Sequence, residues 1–171
     1  MWKYTGTERP PFAMTPGPSQ ESVWDYPRPP KIVPDKRRVI VRFNHMTVAE
    51  SVRTLRVLET ASPPTFYVPQ SDVNVELLQV AHGASLCEWK GRAAYWRLKA
   101  ARLSQSAVGW SYPTAKAPYE SISGYYSFYP GRMDCFVDGE SVRPQPGSFY
   151  GGWVTDEIVG PWKGDPGTET W

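Results

Sequence analysis

Cysteine and histidine are scarce in this chain. Its 171 residues hold two of each: Cys87, Cys135, His45 and His82. Two cysteines cannot build a disulfide framework or an all-cysteine zinc site, and a four-ligand zinc site would consume every cysteine and histidine present. We therefore expect no metal site and no cofactor. Long apolar runs are also missing. No stretch of about 18 apolar residues occurs, and the opening MWKYTGTERPPF lacks the apolar region of a signal peptide. The expected location is cytoplasmic, with no membrane partner. Neither sign of charge dominates: 19 Lys and Arg against 17 Asp and Glu leave a formal charge of +2. The tightest basic cluster is Lys36-Arg37-Arg38. A polyanion footprint needs a broad basic face, so nucleic acid is not an expected partner. Neither a P-loop nor a GxGxxG motif is present.

What the chain does have is rings and turns. Aromatic residues make up 14%, alongside 18 prolines and 14 glycines. Abundant turn residues and few long helical patterns predict a mainly β domain of short strands and many loops. Eight of the 18 prolines fall in residues 1–35. WDYPRPPKIVP excludes helix, because proline removes a donor and restricts the residue before it. Trp24 and Tyr26 make this stretch an arm lying on the domain, since a solvated linker seldom keeps such rings. We divide the chain into a Pro-rich arm (1–35), a core domain (36–145) and a Gly/Pro/aromatic tail packed on the core (146–171).

Within the core, Val39, Val41 and Phe43 alternate with Ile40 and Arg42, Asn44-His45 can turn, and TVAESV runs back as a hairpin. TLRVLET reads as a strand stopped by Pro63-Pro64, with TFYV as another. Ser71 is placed to cap a short helix over DVNVELLQ, where Asp72 would suit the helix dipole. SLCEW and RAAYWRLK read as strands joined at Lys90-Gly91, and AVGWSY as a strand ended by Pro113. APYESISGYYSFY is expected to form one or two helical turns over an open end. Asp138-Gly139 gives the strongest hairpin signal.

Several residues could carry chemistry. Cys87 is either a packed strand thiol or a nucleophile whose thiolate Lys90 or His82 would favour. Cys135 reads as core. Lys90 is either a solvated turn residue or a point charge at a pocket mouth, suited to a carboxylate or phosphate. Glu59 shares the parity of Leu55 and Val57; facing inward, it needs a cationic partner such as Lys90 or an arginine. The dense rings either fill the core or line a pocket that binds flat rings or cations.

The motifs RVLET-x-PPTFYVP-x-x-DV, C-x-x-KG-x-A-x-YW, WSYP and I-x-GY-x-x-FY-x-x-x-MD, in this order over residues 37–143, resemble the bacterial "domain of unknown function 427" family. The closing FYGGWVTDEIVGPWKG is similar to its longer, cyanobacterial-type members. The resemblance implies a β-tent-like fold or small open barrel, with one or two short helices and extended terminal arms. Methionine sulfoxide reductase B and the ligand-binding domain of cereblon share that fold, and cereblon holds a uracil-like ring in a tryptophan cage. The family is also labelled nucleotidyltransferase, which would bring in Mg²⁺. Such enzymes use paired acids for two metals; here Asp134 and Asp138 are four apart, and Asp138 is better used in the hairpin turn.

Three functions follow as expectations. The first is a small-ligand-binding protein with an aromatic-lined pocket for a nucleotide-like or other ring-containing ligand, bound by Tyr67, Trp89, Lys90, Trp110 and Tyr112. The second is an enzyme using the same pocket, by nucleotidyl transfer or through Cys87, Glu59 and Lys90. The third is a regulatory interaction module whose arms, through VWDYPRP and FYGGW, contact a protein partner or a second copy.

Overall fold

In the computed structural model, which describes residues 2–100 and 106–171, alternating sequence becomes strand and the helical content reduces to single 3₁₀ turns. The N-terminal arm gives β1 (Glu21–Ser22), a 3₁₀ turn at Val23–Asp25 and β2 (Lys31–Asp35). A hairpin follows, β3 (Val39–Phe43) and β4 (Met46–Ser51). Its two turn residues, Asn44 and His45, take φ of 46° and 66°, the left-handed pair that suits the twist of a two-residue hairpin. Next come β5 (Thr54–Glu59) and β6 (Ser62–Tyr67), then β7 (Leu78–Cys87) and β8 (Gly91–Leu98). The chain continues through β9 (Gly109–Ser111), β10 (Tyr126–Phe128), β11 (Asp134–Val137) and β12 (Glu140–Ser141). Asp138 and Gly139 turn between these last two with φ of 46° and 83°. The tail adds β13 (Arg143–Pro144), β14 (Trp153–Val154) and β15 (Ile158–Val159).

Three sheets carry the body, ordered β2-β5-β6, β7-β8-β9-β10 and β4-β3-β11-β12, and they do not close into a barrel. Two small pairs, β1 with β15 and β13 with β14, bring in the arms. The first two sheets meet where Val68 and Tyr126 exchange backbone hydrogen bonds of 2.7 and 2.9 Å. The largest apolar cluster packs β3, β4 and β11 against β7 to β10 through Val39, Val41, Val48, Phe66, Leu98 and Phe128. A second cluster gathers Val57, Tyr67, Ala93, Trp110 and Tyr112. A third buries the arm, with Trp24 and Tyr26 packed on Leu58, Ala61 and Ile158.

Two local expectations are corrected. The DVNVELLQ segment is not one capped helix. It forms 3₁₀ turns at Gln70–Asp72 and Val75–Leu77, and Leu78 already begins β7. Tertiary partners take the groups a helix would use: Arg53 donates to Ser71 and to Asp72, and Val73 bridges to Ala49. The Asp72 carboxyl is correspondingly held below its usual range, chiefly by the Arg53 hydrogen bonds. Pro63 and Pro64 do not stop a strand either. The chain reverses earlier, at Thr60-Ala61, and both prolines lie within β6, an edge strand where a missing N–H is tolerated. Among the described residues, no helix is long and apolar enough to cross a membrane.

Candidate functional site

The β7–β8 hairpin sets the chemistry of one wall. Its turn, Glu88-Trp89-Lys90, closes at Gly91, whose φ of 97° needs a residue without a Cβ. The Lys90 carbonyl accepts from the Lys116 N–H at 3.1 Å, which fixes the turn. Strand parity then points Ala93 and Tyr95 to the same side as the turn, and β9 adds Trp110 and, just past its end, Tyr112. Opposite stand Val57 and Glu59 of β5 and Thr65 and Tyr67 of β6. Between these walls lies a cavity of about 510 Å³, within the range of roughly 300–1,000 Å³ usual for small-ligand sites.

All the candidates singled out in the sequence line this cavity: Cys87, Glu59 and Lys90, and the rings of Tyr67, Trp89, Trp110 and Tyr112. At its back the Trp110 indole N–H donates to the Tyr67 hydroxyl at 3.1 Å. Trp110 also packs on Tyr129 with ring centroids 4.7 Å apart. The tail comes close at Gly151, where any Cβ would collide with the Trp110 ring. Tyr95 and Ser85 share a 2.7 Å hydrogen bond on the hairpin wall. The Trp89 indole N–H is buried with no hydrogen-bond partner. His82 and His45 are not part of the lining.

The electrostatics are uneven. Lys90 is only 8% exposed and its ammonium sits 6.0 Å from the Tyr112 ring centroid. Burial opposes its charge, but attraction from Tyr67, Cys87 and Glu59 outweighs this and holds it above the ordinary lysine range. Burial pushes the Tyr67 and Tyr112 phenols upward. Cys87 is half-buried and free, whereas Cys135 lies 1% exposed in the core and burial pushes its thiol well up.

Glu59 finds its partner in Arg28, not Lys90. The Arg28 Nε lies 3.3 Å from Glu59 Oε1, and the same guanidinium donates to the carbonyls of Tyr4, Trp171 and Thr60. Sequence reasoning missed Arg28 and Lys163, which both sit in the arms. Lys163 lines the cavity at 3% exposure, with its ammonium 4.2 Å from the Trp2 ring and 5.1 Å from that of Tyr150. Trp2 also lines the cavity, with its ring 4.2 Å from the Arg28 guanidinium, and donates to Glu88 at 2.7 Å. The available signal was a lone cation framed by prolines or rings in each arm, YPRPP and PWKG. The rings offered as docking elements mostly face inward: Trp24 and Trp153 are fully buried and Tyr26 nearly so, while Phe149 is exposed. Among the described residues, no three His, Cys, Asp or Glu side chains gather as a metal-binding group.

A comparison with curated proteins gives no match. A family described as a domain of unknown function (DUF427), carrying a nucleotidyltransferase-type label, matches residues 31–139, the segment that holds Glu59, Tyr67, Cys87, Lys90, Trp110 and Tyr112. That match spans well over half of the sequence, and the chain belongs to this family.

Proposed function

We propose that the protein binds a small, ring-containing ligand, nucleotide-like or otherwise flat, in the cavity between β5–β6 and β7–β9. One observation carries this reading: Tyr67, Trp110, Tyr112 and Tyr129 line one cavity that also holds two buried lysines, Lys90 and Lys163. Aromatic walls stack on flat rings, and a few fixed polar groups orient them. The reading requires no cofactor. Two free thiols suit a reducing, cytoplasmic setting.

A second reading, an enzyme in the same cavity, is favoured by the position of Cys87 and Lys90 on one wall. Thermal unfolding against nucleosides, nucleotides with and without Mg²⁺, sugar phosphates and aromatic cations separates the two. Ligand at a hundred times its dissociation constant stabilises by about 2.7 kcal/mol. Stabilisation by bare ring compounds supports the binding reading. Stabilisation that demands a nucleotide together with Mg²⁺ supports the transferase label, and silence across the panel overturns the ring pocket.

A further inference from the structure

The cavity lining carries two lysines, Lys90 and Lys163, and two carboxylates, Glu59 and Glu88, yet among the described residues neither carboxylate forms an ion pair with a lysine. Three cations surround Glu59: Arg28, Lys90 and Lys163. Glu59 is taken by Arg28 at 3.3 Å, and Glu88 accepts from the Trp2 indole. Among the described residues neither Lys90 nor Lys163 forms an ion pair, although both are more than nine-tenths buried and line the cavity, one from the β7–β8 turn and one from the tail. Burying an unpaired charge is costly, and such groups persist where something pairs with them. Rings cover these charges in part: Trp2 and Tyr150 face the Lys163 ammonium and Tyr112 that of Lys90. A cation–π contact contributes about 0.5–2 kcal/mol, well short of the penalty for a buried ion. Burial, with the neighbouring Arg28 and Lys90 charges, holds the Lys163 ammonium below the ordinary lysine range despite Glu59 and Glu88.

We infer that the ligand carries an anionic group, a carboxylate or a phosphate, held between Lys90 and Lys163 while its ring lies against Trp110 and Tyr112. The inference rests on the ring-pocket reading and names the ligand's other half. An ammonium pair suits either anion as two point charges, without the planar fork that arginine would impose. Charge on the ligand also supplies what the folded chain lacks, since its anion would pair with both lysines in one step.

Matched probes test this. Indole-3-acetate against indole-3-acetamide, and uridine 5′-monophosphate against uridine, differ in charge at a constant ring. Calorimetric titration of the full chain is expected to give the anionic member of at least one pair roughly tenfold tighter binding. The pair that shows the preference identifies the source as carboxylate or phosphate. Lys163→Gln and Lys90→Met should each abolish that preference. Equal binding within both pairs, or a preference that survives both substitutions, overturns the anion site and leaves the ring pocket standing. Failure of all four probes at millimolar concentration overturns both. A ligand-independent measurement guards against a variant that merely misfolds. Lys163→Gln should leave the apo protein as stable as before or more so, because it removes an unpaired buried cation, and clear destabilisation would mark Lys163 as a structural residue and contradict the proposal.

Discussion

The indole N–H of Trp110 donates to the hydroxyl of Tyr67 across 3.1 Å, joining β9 to β6 at the back of the cavity. Both residues are buried, and the rings meet edge to face with centroids 6.2 Å apart. This bond fixes the wall against which a flat ligand would lie. Tyr67→Phe leaves a buried N–H with no acceptor. Such an orphan costs about 1–3 kcal/mol, which urea unfolding of the variant would measure. A variant as stable as the parent would show that the bond has no such role.

Arg28 ties both ends of the chain to the β5–β6 turn. Its guanidinium donates to the Tyr4 and Trp171 carbonyls at 2.8 and 2.9 Å, to Thr60 at 2.8 Å and to Glu59. Arg28→Ala strips a donor from three carbonyls and removes the one ion pair that Glu59 makes among the described residues. The expected loss is about 3–5 kcal/mol, as for other broken buried pairs. Proteolysis should also attack the first twenty or so residues faster, since ends that lose their tether open first. A loss below about 1 kcal/mol would contradict this role.

The two thiols should separate cleanly. Cys87 lines the cavity half-buried, and Cys135 is 1% exposed between β3 and β12. Iodoacetamide at neutral pH is expected to label Cys87 alone in the folded protein and both thiols in denaturant, as counted by mass spectrometry. Native labelling of Cys135 would contradict the core assignment.

Asp35 gives a pH dependence. Burial raises its carboxyl, but hydrogen bonds from the Arg37 side chain and backbone, with the nearby Arg56, hold it below the usual range. Arg56 Nε lies 3.2 Å from Asp35 Oδ2, close enough for attraction but without hydrogen-bond geometry. A carboxyl lowered by folding contributes stability above its unfolded pKa of about 4, and that contribution is lost as pH falls through the lower folded value. Asp35→Asn should therefore be less stable at neutral pH by about 2 kcal/mol. Its stability should also fall less steeply than the parent's below about pH 4. Parallel pH profiles would contradict the pairing.

Much of this molecule was legible where short-range chemistry decides. Asn44-His45 and Asp138-Gly139 announce their hairpins because two left-handed residues are needed there and these types supply them. Which rings face the cavity was not legible; the fold brings Tyr67, Trp110, Tyr112 and Lys90 to one lining from separate strands and a turn. Partners distant in sequence were not legible. Arg53 takes Ser71 and Asp72 away from the helix that their spacing suggests. Pro63 and Pro64 fit a strand only because β6 is an edge. Nothing local shows that Arg28 meets Glu59 at a separation of 31 residues, or that Lys163 folds back to the cavity.

The most direct test of the ring pocket uses the indole N–H signals of the eight tryptophans in a ¹⁵N–¹H spectrum, recorded with the ring compound that stabilises the protein most. The expected result is a shift of the Trp110 and Trp89 signals on titration, with those of Trp24 and Trp153, both fully buried outside the cavity lining, unmoved. A panel with no stabilising compound, or a titration that moves Trp24 or Trp153 and leaves Trp110 in place, would contradict a ring-binding pocket.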